Sequence, residues 1–135
     1  MSIEIDHLGI AVRSLEEGRR FYERVLGMSV STQETVEPER VNVAMLPTGI
    51  GSDAPRIELL EATDSDSIIG KFIQSRGPGI HHVALRVDNL ASAMERLQAE
   101  GARVLHAPRE GAGGHVYVFV HPASTGGVLL ELIQK

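Results

Sequence analysis

A short apolar stretch that contains a histidine occurs twice in this chain. Residues 5–12 read Ile-Asp-His-Leu-Gly-Ile-Ala-Val, and residues 80–87 read Ile-His-His-Val-Ala-Leu-Arg-Val. When the two stretches are superposed, His82 falls on His7, which lies 75 residues earlier (82 − 7). The alternating pattern is typical of a β-strand. The repeat therefore predicts a duplicated unit, with a functional site to which both copies contribute a histidine.

The pattern after the first copy predicts a helix and three strands. Ser14 and Glu17 have the spacing of a capping box, and the predicted helix runs to about Leu26, with Gly27 as its stop. Its predicted buried side consists of Leu15, Phe21, Tyr22, Val25 and Leu26. Strands are expected near residues 28–34, 41–46 and 56–61, which completes a β-α-β-β-β unit.

The second copy follows the same order. A connecting helix is predicted over residues 64–75, and Asn89 takes the N-cap place of Ser14. Further strands are expected at residues 102–106, 116–120 and 127–133, with a glycine-rich loop at 108–114. The predicted fold class is α+β in a single domain of residues 1–135. Its module 1 covers about 3–62, its connecting helix about 64–75, and its module 2 about 79–135.

A second pair of chemistry-bearing residues recurs with the repeat. Glu58 and Glu131 each lie inside an apolar strand and are 73 residues apart (131 − 58), close to the spacing of the histidines. A carboxylate in such a strand is costly to bury as a charge unless it has a partner. Two imidazoles and two carboxylates form a donor set that suits Zn, Co, Ni, Mn or Fe(II) better than Ca or Mg.

Each of these residues also has a structural interpretation. A single strand histidine is more often a hydrogen-bonded core residue than a ligand, Glu58 alone could face solvent, and the histidine pair could be a remnant of duplication. His81 is expected to face away from His82, and His121 to shape a turn before Pro122. His106 and His115 lie at loop edges, and residues 111–114 lack the lysine of a phosphate-binding loop.

Composition limits the function classes. The chain has no cysteine, which excludes disulfides, thiolate metal sites and a cysteine nucleophile. Its formal net charge of −5 and the lack of a basic face argue against nucleic-acid binding. No run approaches the roughly 18 apolar residues of a membrane span, and no secretory signal is evident. A cytoplasmic protein without membrane attachment is expected.

These features resemble the vicinal oxygen chelate superfamily, and within it most closely the methylmalonyl-CoA epimerase family. The resemblance covers essentially the whole chain and is carried by an ordered set of strings: residues 5–12, 57–61, 66–72, 79–84, and 121–122 through 127–132. It implies two paired βαβββ modules that form an incomplete, cup-shaped, eight-stranded barrel-like sheet around a metal site. It also implies His7, His82 and Glu131 as metal ligands, with Glu58 at a position that family members fill with Gln or Glu.

The resemblance further implies metal-assisted epimerisation of a CoA thioester through an enolate, with Glu131 as a catalytic base. One divalent ion is expected, Co²⁺ first, with Zn²⁺, Ni²⁺, Mn²⁺ or Mg²⁺ as alternatives. Some relatives carry a second base in the strand where this chain has Val41-Asn42-Val43, and often a lysine where it has Ala123. Glu58, Glu37, Glu39 or a metal-bound water are the alternatives for the missing second group.

Other functions remain open at the level of sequence. A glyoxalase I-like lactoylglutathione lyase uses similar enolate chemistry, whereas an extradiol dioxygenase needs only one carboxylate ligand. A non-catalytic binding module on the same fold is the non-enzymatic alternative. The expected partner is a small-molecule CoA thioester, and the expected assembly is a homodimer.

Overall fold

The computed structural model describes residues 2–135, which form eight strands and three α-helices. The strands are Ile3–Ala11 (β1), Thr32–Val36 (β2), Val41–Pro47 (β3), Arg56–Ala62 (β4), Gly79–Val87 (β5), Arg109–Glu110 (β6), Val116–Val120 (β7) and Leu130–Gln134 (β8). The α-helices are Leu15–Arg20 (α1), Ile68–Arg76 (α2) and Leu90–Ala99 (α3). The order β-α-β-β-β therefore occurs twice, on either side of α2. All eight strands belong to one sheet, which confirms the α+β prediction.

The first compact unit consists of residues 7–81. Its strands follow the order β2-β3-β4-β1, in which β1 pairs with β4 in parallel and the other pairs are antiparallel. One face of these strands packs against α1 through Val12, Leu15, Ala44, Leu46 and Leu59. The opposite face of β1 and β4 carries His7 and Glu58, so the helix layer and the polar pair lie on different sides.

The second compact unit consists of residues 82–135 together with the start of β1. Its strands follow the order β5-β8-β7-β6, with β5 and β8 parallel. Its core joins α3 to the sheet through Val87, Leu90, Ala93, Val118, Val120 and Leu132. Asp6 belongs to this unit, and its buried carboxylate lies 2.9 Å from Lys135 Nζ and 3.6 Å from Arg86 Nη1.

The helix starts follow the predicted capping. The Ser14 hydroxyl accepts from the Glu17 backbone N–H at 3.1 Å, and Asn89 accepts from the Ser92 N–H at 3.0 Å. Gly27 and Gly101 both adopt left-handed backbone, with φ of 69° and 72°, where the helical stretches end. None of the helices within residues 2–135 is long and apolar enough to cross a membrane.

The first helix departs from the prediction. Its α-helical part ends at Arg20 and continues as a π-helical turn over Phe21–Val25, in which Leu26 N–H bonds to Phe21 O at 3.3 Å. A wider turn changes which residues share a face, since each residue advances less around the axis. The prediction that Phe21, Val25 and Leu26 are buried is therefore wrong, because all three are more than half exposed.

Several element boundaries also differ. β2 begins at Thr32 rather than near residue 28, α2 begins at Ile68, and β8 begins at Leu130. The predicted loop at 108–114 includes the two-residue strand β6. The predicted strand at residues 102–106 is wrong: Val104 forms one isolated bridge with Val120, and no strand is assigned there. The backbone pairing stops here because the Phe119 N–H donates to the ring of His106 instead of to a backbone carbonyl.

Candidate metal centre

The first histidine–glutamate pair lies on two parallel strands. In the register of β1 and β4, Gly9 lies opposite Glu58, and His7 precedes Gly9 by two residues, so the side chains of His7 and Glu58 share a face. Gly9 has no side chain and leaves room for both. His7 Nε2 lies 3.5 Å from Glu58 Oε1, and the two residues are only 2% and 6% exposed.

The second pair repeats this arrangement on β5 and β8. Ala84 lies opposite Glu131 and His82 precedes Ala84 by two residues, just as His7 precedes Gly9. His82 Nε2 lies 3.1 Å from Glu131 Oε1, and both residues are buried. The structure thus brings together His7 with Glu58, and His82 with Glu131, each within its own unit. The small residue opposite each glutamate is part of the repeated pattern.

Each pair has the chemistry of a metal-binding half-site. Two ligands on one ion, each about 2.0–2.2 Å from it, are about 2.9–3.4 Å apart at angles between 90° and tetrahedral. The nitrogen–oxygen separations of 3.1 and 3.5 Å are close to that range. A buried carboxylate needs a compensating charge, and a divalent cation provides one. The residues of each pair therefore fit a divalent metal ion.

Strand β3 contributes no acid–base group on the face of Glu58. Met45 is the cross-strand partner of Glu58 and Val43 that of Leu60, so the β3 residues on this face are Val41, Val43, Met45 and Pro47. Asn42 belongs to the opposite face, where its amide donates to Glu61 Oε1 at 2.8 Å. Apolar residues, and not Asn42, therefore occupy the β3 positions next to Glu58, and none of them can transfer a proton.

The remaining histidines have other surroundings. His81 packs perpendicular to Phe72, with ring centroids 5.1 Å apart, whereas His82 packs on Phe119, in agreement with the prediction that His81 faces away from His82. His121 Nδ1 accepts from the Ala123 N–H at 2.9 Å and begins a 3₁₀ turn, again as predicted. His115 lies beside Gly113 in the loop before β7.

Sequence reasoning missed an aromatic group beside His82. Phe119 packs perpendicular to the His82 ring at 5.3 Å, and His106 packs on Phe119 at 5.9 Å. The signal was present, since Tyr117 and Phe119 alternate within one predicted strand and so share a face. What the sequence lacked was the register of β7 against β8, which places Phe119 opposite Glu131.

Comparisons with known proteins agree with this architecture. Residues 6–119 match the model of the glyoxalase/bleomycin resistance protein/dioxygenase superfamily. The chain is 38% identical over 131 residues to the uncharacterized protein YqjC of Bacillus subtilis, covering 96% of this chain and 91% of YqjC. It is 36% identical over 132 residues to the mitochondrial methylmalonyl-CoA epimerase of Bos taurus, covering 96% and 73%.

Solved structures agree as well. The chain is similar to the Streptomyces coelicolor methylmalonyl-CoA epimerase solved in complex with 2-nitronate-propionyl-CoA, with a TM-score of 0.91 and 36% identity. This match covers 97% of this chain and 96% of the other. With the family model matching most of its length, the chain belongs to the glyoxalase/bleomycin resistance protein/dioxygenase superfamily.

Proposed function

We propose that this protein is a methylmalonyl-CoA epimerase, which interconverts the (2R) and (2S) forms of methylmalonyl-CoA. The observation that carries the proposal is the pair of equivalent, buried histidine–glutamate half-sites on parallel strands. Removal of a proton next to a thioester carbonyl needs a carboxylate base and an electrophile for the developing enolate. The relatives named methylmalonyl-CoA epimerase, which the chain matches over nearly its whole length, support this reaction.

The proposed metal ligands are His7, Glu58, His82 and Glu131. Each unit supplies one buried imidazole beside one buried carboxylate, with nitrogen–oxygen distances of 3.5 Å for His7 and Glu58 and 3.1 Å for His82 and Glu131. Nitrogen and carboxylate donors suit Zn, Co, Ni, Mn or Fe(II), and among these we propose Co²⁺ for the active protein. When bound, such an ion supplies a Lewis acid for the thioester carbonyl oxygen.

Within this proposal Glu131 is the catalytic base. Its carboxylate is buried beside an imidazole nitrogen, so bulk water competes little for the proton that it accepts from the α-carbon. His82 lies next to Glu131 and is the second proposed metal ligand of this pair. Val41, Val43 and Met45 supply no proton-transfer group, and they make the face of Glu58 apolar where β3 borders it.

The decisive experiment incubates the Co²⁺-loaded protein with (2S)-methylmalonyl-CoA in D₂O. We expect deuterium at the α-carbon together with conversion to the (2R) form. NMR measures the deuterium and chiral analysis measures the conversion. Deuterium incorporation without inversion would mean that protons move on one face only, and the absence of both would refute the proposal. A parallel assay with methylglyoxal and glutathione tests the lactoylglutathione lyase alternative.

We also propose a cytoplasmic homodimer that acts on a CoA thioester in propionate metabolism, with the chain folded as one domain. Support for an assembly comes from the exposed side chains of Phe21, Val25 and Leu26, since clustered apolar residues on a surface favour association. Light scattering should give a mass near twice the 14.6 kDa of one chain. A mass of one chain at all concentrations would refute the dimer, and two separate melting transitions would refute the single domain.

A further inference from the structure

The ring of His82 has a second restraint besides Glu131. Its Nε2 lies 3.1 Å from Glu131 Oε1, and its ring lies nearly perpendicular to that of Phe119, with an interplanar angle of 85° and centroids 5.3 Å apart. An imidazole turns readily about the bond that joins it to Cβ. A perpendicular aromatic neighbour restricts that rotation, because turning the ring would lose the contact or create a clash.

The backbone places Phe119 next to both members of the second half-site. Phe119 is the cross-strand partner of Glu131. Its carbonyl accepts from the Leu105 N–H at 2.9 Å and its N–H donates to His106 Nε2 at 3.3 Å, so both backbone groups point away from β8. Phe119 and Glu131 are therefore a non-hydrogen-bonded pair, in which cross-strand side chains come closest.

Phe119 is itself held in place by aromatic neighbours. The His106 ring lies 5.9 Å from it and the Tyr117 ring 5.6 Å from it, both in edge-on packing. His106 Nδ1 lies 2.7 Å from the Ala107 carbonyl, which can only accept, and His106 Nε2 faces a backbone N–H, which can only donate. Both ring nitrogens of His106 are thus engaged with backbone groups. Its two fixed hydrogen bonds make it a rigid support for Phe119.

We propose that Phe119 is a positioning residue for the metal centre: it holds the His82 imidazole in the plane in which Nε2 can bind a metal ion, and His106 keeps Phe119 in place. The inference rests on the metal site of the proposed function, but it concerns metal affinity and not turnover. Outer groups that orient a ligating histidine commonly change metal affinity by about 10- to 100-fold. Phe119 would do so by packing rather than by a hydrogen bond.

The test titrates the variants Phe119→Leu and Val118→Ala with Co²⁺ and monitors binding by visible absorption. Val118 is the neighbouring residue on the opposite face of β7 and is fully buried in the core with α3, so its truncation also weakens this strand. Phe119→Leu is expected to weaken Co²⁺ binding by at least ~10-fold and to alter the Co²⁺ absorption bands. Val118→Ala is expected to lower the melting temperature but to leave affinity and spectrum as in the wild type. Phe119→Tyr keeps the ring and is expected to restore both.

Each outcome decides the inference. Unchanged affinity and spectrum in Phe119→Leu would overturn it, as would equal weakening in Val118→Ala, which would indicate a general loss of stability. A wild type that binds no Co²⁺ would overturn both this inference and the metal site. A wild type that binds Co²⁺ but does not epimerise methylmalonyl-CoA would overturn only the proposed reaction, while the affinity comparison still decides the role of Phe119.

Discussion

At the scale of single residues, strand β3 presents different chemistry on its two faces. Asn42 receives a hydrogen bond from Thr35 Oγ1 at 2.6 Å and donates to Glu61 Oε1 at 2.8 Å, while Glu61 Oε2 accepts from the Leu15 N–H at 3.1 Å. This chain of bonds connects β2, β3 and β4 to the first turn of α1. Asn42 therefore has a structural role on the helix side of the sheet.

The role of Asn42 predicts a separation of stability from activity. Asn42→Ala should lower the free energy of unfolding by about 1–2 kcal/mol, since it leaves a part-buried carboxylate with one donor fewer. The rate of α-deuterium incorporation per folded, metal-loaded protein should stay as in the wild type. Urea unfolding and the exchange assay measure the two quantities, and a lost exchange rate with intact stability would place Asn42 in the site.

For Glu131, in contrast to Asn42, we expect a substitution to lower activity. Glu131→Gln keeps the size of the side chain but removes the base and one anionic ligand, so the exchange rate at saturating Co²⁺ should fall by about 10²- to 10⁴-fold. The matched control is Glu95→Gln on the exposed side of α3, which should behave as the wild type. An exchange rate for Glu131→Gln close to that of the control would remove Glu131 from the mechanism.

Asp64 predicts a pH dependence of stability. The Asp66 backbone N–H, at 2.8 Å, and then the Arg40 guanidinium lower the pKa of the Asp64 carboxyl below its ordinary value of 3.8. A carboxyl with a lowered folded-state pKa stabilises the fold above its unfolded pKa and loses that contribution as the pH falls through its folded pKa. The difference in unfolding free energy between wild type and Asp64→Asn should thus be constant near neutral pH. It should become smaller as the pH falls below the ordinary pKa of the Asp64 carboxyl. A difference that grows in acid would contradict this.

At the scale of elements, the start of α2 depends on a close approach of backbone segments. A Cβ at Gly70 would lie 2.6 Å from the carbonyl oxygens of Asp64 and Ser65. The Ser67 hydroxyl accepts from the Gly70 N–H at 3.0 Å and donates to the Asp64 carbonyl at 2.7 Å. The turn from β4 into α2 is therefore closed tightly around residue 70.

Gly70→Ala should consequently reverse the usual effect of this substitution in a helix. An unobstructed helical Gly→Ala stabilises by about 0.5–1 kcal/mol, whereas here we expect destabilisation by about 1–3 kcal/mol because backbone must shift. Lys71→Ala, one residue along and exposed, should stay within about 0.5 kcal/mol of the wild type. Thermal unfolding of the two variants measures the difference, and a stabilised Gly70→Ala would contradict it.

The segment at residues 102–106 shows why one predicted element failed. Its hydrogen bonds to β7 begin as in an antiparallel pair, with Leu105 N–H to Phe119 O at 2.9 Å and His121 N–H to Arg103 O at 2.8 Å. The next backbone donor, Phe119 N–H, bonds to the His106 side chain instead. A local pattern of apolar residues does not reveal such competition, because the N–H donor belongs to Phe119 in β7, 13 residues along the chain from His106.

At the scale of the whole molecule, binding of a metal should appear as added stability. A ligand that binds only the folded state stabilises it by about 2.7 kcal/mol when its concentration is 100-fold above its Kd. Co²⁺ should therefore raise the melting temperature of the wild type, and a chelator should reverse the change. His7→Ala should remove most of this rise, since it deletes one proposed ligand. An equal rise in wild type and variant would mean that Co²⁺ binds elsewhere.

The sequence by itself determined the repeat and the residues that matter most in it. Matched spacing of His7 with His82 and of Glu58 with Glu131, within alternating apolar strands, was enough to predict two β-α-β-β-β units and two equivalent pairs. The capping residues Ser14 and Asn89 could also be read directly, because a helix N-cap is a local hydrogen bond. Periodicity and local capping are properties of neighbouring residues, so a sequence displays them.

Only the tertiary structure decided which side chains surround those pairs. The register of β3 against β4 assigned Asn42 to the helix face and Val43 to the face of Glu58, and the register of β7 against β8 set Phe119 beside Glu131. The π-helical turn after Arg20 exposed apolar residues that a regular period would have buried. Register and helical pitch depend on contacts between residues far apart in the chain, and a one-residue shift moves a strand side chain to the other face.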